Sequence, residues 1–314
     1  MNPAELEYFQ QNNIQFLKTI ASGAYGEVFH VYSNHFKSEF ALKKIPSNRF
    51  KMSEVDCLME IDDPRTVRLY NNYVFDNHIY MLMEYCVGDL SKFLGKQTSP
   101  KGMELHNYIR GVITAVKACH DKNIAHCDLK PSNFLIDSYG RIKIGDFGLS
   151  TIFRDKPTAS CVKGTPMFMA PEIFKPFEYN PMKADIWAMG VTLYILATGI
   201  LPFRGRNIGE IVNKIENCDY NLQLVEDNDL KLLIAQCLDL DPECRPTPDQ
   251  LLNMNYFKKL EQSLNKIGVS KNYLNKTQFL IKPKLNNPNV AVPRNSFCLR
   301  RVRTYPRVQK IPNF

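Results

Sequence analysis

The chain has 314 residues, of which 44% are hydrophobic and 23% charged, and a formal net charge of +8. That composition supplies one large core or two smaller ones and excludes a disordered or fibrous chain. The charge excess sits at one end. Of 40 Lys and Arg, eight lie in residues 281–314 with no Asp or Glu, so residues 1–280 balance at 32 basic and 32 acidic. The basic balance is thus no ground for reading the body as a nucleic-acid binder.

Residues 3–11 read as a short helix. The start, MNPAELEYFQQNN, has no basic lead and no apolar core, so it does not read as a secretory signal. From Phe16 to Lys44 the pattern is strand-like: QFLKTI, a glycine-bearing turn, EVFHVYS and EFALKKI. Residues 51–61 read as a helix with Val55, Leu58 and Met59 on one face. VRLYNNYVF and IYMLMEY are two more strands, which makes the chain up to Tyr85 a small, mostly antiparallel sheet with one helix. From Asp89 onward the segments are helical: LHNYIRGVITAVKACHDKN, DIWAMGVTLYILATG, NIGEIVNKIENC, NDLKLLIAQCLDL and TPDQLLNMNYF. The apolar run Met189–Leu201 is too short to cross a bilayer and reads as a buried helix. Sheet first and helices afterwards predicts an α+β chain of two lobes with a cleft between them. Residues 258–270 extend the last helix. Beyond about 271, Pro283, Pro288, Pro293, Pro306 and Pro312 predict an extended or disordered basic arm. Nine cysteines include no CxxC pair, which argues against zinc or a disulfide framework and for a reducing, cytoplasmic compartment with access to the nucleus.

Four constellations carry chemistry. In Ile20-Ala21-Ser22-Gly23-Ala24-Tyr25-Gly26-Glu27-Val28, small residues between two strands let backbone N–H groups approach phosphate oxygens. Alone, such a hairpin is usually only a turn. In Phe40-Ala41-Leu42-Lys43, a lysine on a buried-looking strand needs a partner. Glu54 of the next helix is the candidate, with Asp56 and Glu60 as alternatives, while Lys44 reads as a solvated neighbour. In His126-Cys127-Asp128-Leu129-Lys130-Pro131-Ser132-Asn133, one loop holds a carboxylate to accept a hydroxyl proton, a lysine to neutralise a phosphoryl group and an amide to bind a hard metal ion. Asp146-Phe147-Gly148 places a second metal-binding carboxylate at the end of a strand.

Together, in this order, these motifs resemble the eukaryotic protein kinase family. Val28 lies 15 residues before Lys43, and Asp128 lies 18 before Asp146. Ala170-Pro171-Glu172, Asp185-Ile186-Trp187 and Arg245 match further family positions. The resemblance covers about Phe16 to Phe257. It implies a bilobal kinase domain over 16–257, with a small lobe at 16–85 and a large lobe at 86–257, flanked by extensions at 1–15 and 258–314.

The resemblance implies an enzyme that uses ATP and Mg2+ to phosphorylate Ser and Thr of protein substrates, and a monomer. Ile20, Ala21, Ser22, Gly23, Ala24, Tyr25 and Gly26 would cover the phosphates. Lys43 would hold them and pair with Glu54. Val28, Ala41 and Leu135 would sandwich the adenine, with Glu84 and Cys86 offering backbone groups to its edge behind a gatekeeper, Met83. Asn133 and Asp146 would hold metal, and Asp128 would be the base. Lys130 and Thr165 would bracket it, as in serine/threonine kinases. Leu58, Leu69, His126 and Phe147 would stack as a spine. The run Leu196-Ala197-Thr198-Gly199 into Pro202-Phe203 is similar to calcium/calmodulin-type or AMP-activated-type kinases. A pseudokinase scaffold is the competing class, but such chains normally lack Lys43, Asp128 or Asp146.

The departures from the family pattern are informative. Ala21 replaces the first loop glycine, which implies a modest effect on ATP affinity. Cys127 replaces the arginine that reads a phosphorylated activation segment, and Cys161 stands where the phosphorylated residue is expected. Reader and target are both absent, which predicts activity independent of that phosphorylation. Ser160 and Thr158 lie beside Cys161, just before it, and are the alternative acceptors. Arg300-Arg301-Val302-Arg303-Thr304 resembles a basophilic phosphorylation site or pseudosubstrate. The plainer reading is a basic arm that touches anionic surfaces.

Overall fold

The computed structural model describes residues 1–23, 26–95 and 99–259. The basic arm, its Arg300–Thr304 motif and the helix extension past 259 lie outside the described residues, as do Ala24 and Tyr25. Asn2 starts the first helix, α1 (Pro3–Gln11), through a reciprocal cap. Its side chain accepts from Glu5 N at 2.8 Å, and Glu5 Oε2 accepts from Asn2 N at 2.7 Å.

Strands β1 (Ile14–Gly23), β2 (Gly26–Ser33) and β3 (Ser38–Pro46) follow, then helix α2 (Met52–Glu60) and strands β4 (Leu69–Phe75) and β5 (His78–Glu84). They form one antiparallel sheet in the order β1-β2-β3-β5-β4. Residues directly opposite one another share a face, and alternate residues change face. One face therefore carries Val28, His30, Ala41, Lys43, Met81 and Met83. The other carries Phe29, Val31, Phe40, Leu42, Tyr80 and Leu82, all buried in a core of their own with Phe9 of α1 and Ile14. Phe9 is 1% exposed and meets the rings of Tyr73 and Tyr80 edge-on. Helix α1 thus covers the sheet's far face as part of the small lobe's core, whereas the sequence reading set residues 1–15 apart as an extension.

The large lobe begins with β6 (Gly88–Asp89) and the long helix α3 (Gly102–His120), followed by β7 (Ile124–Ala125), β8 (Phe134–Ile136), β9 (Ile142–Ile144) and β10 (Thr151–Ile152). These short strands pair as β6-β8-β9 and β10-β7 and carry the loops of the cleft. Helix α4 (Pro181–Thr198) is apolar all round and buried along nearly its whole length, as a helix at the centre of a lobe must be. Helices α5 (Ile208–Glu216), α6 (Asn228–Cys237) and α7 (Pro248–Leu252) complete the lobe. Glu172 and Arg245 form a bidentate ion pair at 2.6 and 2.8 Å, with the Arg245 side chain fully buried against Trp187. Among the described residues, no helix is long and apolar enough to cross a membrane.

Candidate functional site

Lys43 lies on β3 facing the cleft, its side chain 14% exposed. Its Nζ is 2.6 Å from Glu54 Oε1 on α2 and 2.8 Å from Asp146 Oδ1. Burial alone would lower its pKa, but the carboxylates of Asp146 and Glu54 outweigh that and raise it above the ordinary 10.5. Burial likewise works against the Asp146 carboxylate, and Lys43 overcomes it, holding Asp146 below its usual range. The geometry selects Glu54, which is buried, over the exposed Asp56 and Glu60. It also explains why a glutamate occupies the helix's inner face. Val55, Cys57 and Leu58 share that face, while Met59, predicted to join them, is 63% exposed.

The β1–β2 hairpin arches beside this lysine. Ile20, Ala21, Ser22 and Gly23 are exposed at the end of β1. Gly26 has φ +128°, and a Cβ there would lie 2.1 Å from the Lys44 carbonyl oxygen, so only glycine fits. Val28 and Ala41 are half-buried on the cleft face, and Met83 is buried behind them. Leu135 on β8 is half-buried in the large lobe. Glu84 and Cys86 lie on the segment that joins the lobes. The Glu84 carboxylate meets Lys143 Nζ at 2.9 Å, and that lysine, only 3% exposed, also donates to the Pro64 carbonyl at 2.7 Å.

The loop after β7 holds the opposite side of the site. Asp185, on α4, anchors it by accepting from His126 N at 2.7 Å and Cys127 N at 2.9 Å. This anchor lets Cys127 take φ 63°. The next residue, Asp128, receives Thr165 Oγ1 on Oδ1 at 2.8 Å and Lys130 Nζ on Oδ2 at 2.7 Å. Lys130 also donates to Thr165 Oγ1 at 3.0 Å. Asn133 Nδ2 donates to the Asp128 carbonyl at 2.8 Å. His126 packs on Phe147 with ring centroids 5.1 Å apart, and Leu58 and Leu69 belong to the same core.

The segment that follows Asp146 folds back over this loop. Gly164 has φ +109°, and a Cβ there would lie 2.8 Å from the Cys127 carbonyl oxygen. Lys163 Nζ reaches Thr151 Oγ1 at 3.4 Å, Tyr179 OH donates to the Cys161 carbonyl at 2.9 Å, and Ala159 pairs with Tyr179. A cavity of about 20 Å³ lies among Cys127, Lys163, Gly164 and Asp185, room for about one water and not for a long side chain. Burial next to Asp185 pushes the Cys127 thiol well above its ordinary 9.0. Ser160 and Cys161 are exposed.

Residues 14–257 match the family model for the protein kinase domain. The chain belongs to the protein kinase family. It is 32% identical over 259 residues to the probable serine/threonine-protein kinase MARK-A of Dictyostelium discoideum, covering 80% of this chain and 24% of that protein. It is also 32% identical over 254 residues to CBL-interacting serine/threonine-protein kinase 3 of Arabidopsis thaliana (77% and 58%). With CBL-interacting protein kinase 33 of Oryza sativa subsp. japonica it shares 31% over 254 residues (77% and 56%). The chain thus spans between a quarter and three-fifths of the length of these relatives.

In the kinase domain the residues singled out by motif converge on one cleft: Lys43, Glu54 and Asp146 in one cluster, and Asp128, Lys130, Asn133 and Thr165 in another. Lys44 is not the solvated neighbour expected of it. It projects from the opposite face of β3, where its Nζ meets Glu5 Oε1 of α1 at 2.5 Å and Glu27 Oε2 at 3.5 Å. Sequence reasoning also missed Lys143 as a partner of Glu84. Its signal was a lysine alternating with Ile142 and Ile144 in a strand too short to reach solvent.

Proposed function

We propose that this chain is an ATP- and Mg2+-dependent protein kinase that phosphorylates serine and threonine. The observation that carries the reading is Lys43, charged and held between Glu54 and Asp146 in the cleft that Asp128 borders. Such an arrangement positions a polyphosphate and screens its charge. Asp146, with 39% of its side chain exposed, and Asn133 contribute hard oxygen donors, the set that suits magnesium. Bound there, magnesium would neutralise charge on the phosphate oxygens.

Asp128 orients the substrate hydroxyl and takes its proton. The hydroxyl oxygen forms a bond to the γ-phosphorus as the bond to the bridging oxygen breaks and ADP leaves. Lys130 sits where it can balance charge on the moving phosphoryl group. Thr165, bonded to both Asp128 and Lys130, forms the floor for a short side chain, which favours Ser and Thr over Tyr. The free cysteines and their spacing suit a reducing compartment, and we read the chain as a cytoplasmic monomer.

The same reading includes activity without activation-segment phosphorylation. Cys127 and Cys161 remove the usual arginine and acceptor. The Lys163–Thr151, Tyr179–Cys161 and Ala159–Tyr179 contacts hold the segment through groups of the chain itself, which supports this reading. The test is a peptide-array assay on protein before and after phosphatase treatment, with Asp146→Asn as the control. Activity is expected to persist after treatment and vanish in the control. A fall of about tenfold on dephosphorylation, about 1.4 kcal/mol of lost coupling, overturns the independence. Activity surviving Asp146→Asn overturns the assignment of the metal site.

A further inference from the structure

His30 stands two residues beyond Val28 on the cleft face of β2, opposite Ala41. It is 8% exposed, and no step described so far uses it. Its ring lies flat on Tyr85, with centroids 3.9 Å apart and planes 9° from parallel. Its Nε2 is 3.2 Å from Glu39 Oε2, an ion-pair distance but off the line that a hydrogen bond requires.

Tyr85 is the middle residue of the segment joining the lobes. The Glu84 carbonyl belongs to the peptide unit before its Cα, and the Cys86 N–H to the unit after it. Both are planar and rigid. Holding the Tyr85 side chain therefore restrains the Cα from which both backbone groups assigned to the adenine edge are hung. Glu84 is held separately, by Lys143 from the large lobe and by its own N–H on the Arg68 carbonyl at 2.8 Å.

We propose that His30 is a positioning residue for the nucleotide base: by stacking on Tyr85 it clamps the segment between the lobes and sets the adenine-edge groups of Glu84 and Cys86. The inference rests on the ATP reading above and adds a residue outside its motifs. The clamp acts through ring stacking, with Glu39 steadying the imidazole from the solvent side, where its side chain is 55% exposed.

The test compares full-length wild type, His30→Ala and His30→Phe. It measures Mg-ATP affinity by calorimetry, kcat, and KM for ATP and for a peptide, with magnesium tripolyphosphate as a probe that carries no base. An offset aromatic stack predicts that His30→Ala weakens ATP by about threefold to tenfold. Its kcat, peptide KM and tripolyphosphate affinity should not change. His30→Phe, which keeps a flat ring and loses the imidazole, is expected to restore ATP affinity to within about twofold. Unchanged ATP affinity in His30→Ala overturns the proposal, as does equal weakening of tripolyphosphate or a failure of phenylalanine to rescue. A wild-type chain that binds tripolyphosphate but gains nothing from the base overturns the clamp alone. A wild-type chain that binds neither overturns the kinase reading as well.

Discussion

On the proposed reading, Cys127 is one side chain that removes a control device and leaves the chemistry in place. Its backbone keeps the demanding conformation of the loop because Asp185 accepts both N–H groups around it. Its side chain fills little space beside the cavity of about 20 Å³, with Lys163 on the other wall. An arginine there would bring a cation next to Lys163 with no phosphate to meet it. Cys127→Arg should therefore lower stability by about 1–3 kcal/mol, the cost of an overpacked, unpaired site. It should also lower kcat without changing KM for ATP. Thermal melting and steady-state kinetics on the single variant check both. A variant as stable and active as the wild type would show that the pocket accepts the arginine and that its loss here had no physical driver.

At the level of elements, the strands of the small lobe were legible because their apolar residues alternate, and the large-lobe helices because theirs recur with helical spacing. The gathering of the candidate residues in one cleft was legible because the motifs carry a few residue types in a set order, the order that phosphoryl transfer would demand. What was not legible was pairing between distant segments. Nothing local in PAELEYFQQ says that Glu5 will be buried, or that Lys44 will turn towards it while Lys43 turns away. Alternation along β3 separates the two lysines, but the partner of each depends on what covers each face. Glu5 is 1% exposed. Burial would raise its pKa, yet hydrogen bonds from Lys44 and from Tyr80 OH at 2.7 Å outweigh that and hold it below 4.5. A carboxyl whose folded pKa is lowered contributes stability above its unfolded pKa and loses it as pH falls through the folded value. Glu5→Gln should therefore be less stable than wild type at neutral pH, by about 1–3 kcal/mol. The gap should close as pH falls below 4.5. Denaturant melts at pH 7 and pH 4 check this, and a gap that widens in acid would reverse the sign argued here. Because Lys44 also meets Glu27 and its carbonyl lies under Gly26, the same variant should raise KM for ATP.

At the scale of the whole molecule, one core runs across the junction of the lobes. The small lobe's far face closes on α1, while its cleft face, through Met81, Met83, Val55 and Leu58, belongs to the core that runs on into the large lobe. Two ion pairs cross that junction, Lys43 with Asp146 and Lys143 with Glu84. In the first, a small-lobe lysine neutralises a carboxylate from the large lobe. A polyphosphate on Lys43 with magnesium on Asp146 would replace that direct pair by a bridged one and add contacts to both lobes. Ligand that binds only the folded state stabilises it by mass action, about 2.7 kcal/mol at one hundred times its dissociation constant. For a folded region of this size each kcal/mol moves the melting temperature by about 2–4 °C, so saturating Mg-ATP should raise it by about 5–10 °C. The rise should depend on the metal, shrinking when the chelator EDTA removes magnesium while ATP stays constant. Asp146→Asn removes the carboxylate but not Lys43, so it should keep the smaller, metal-independent rise and lose the rest. A melting temperature that responds to ATP equally with and without magnesium would place the nucleotide somewhere other than between Lys43 and Asp146.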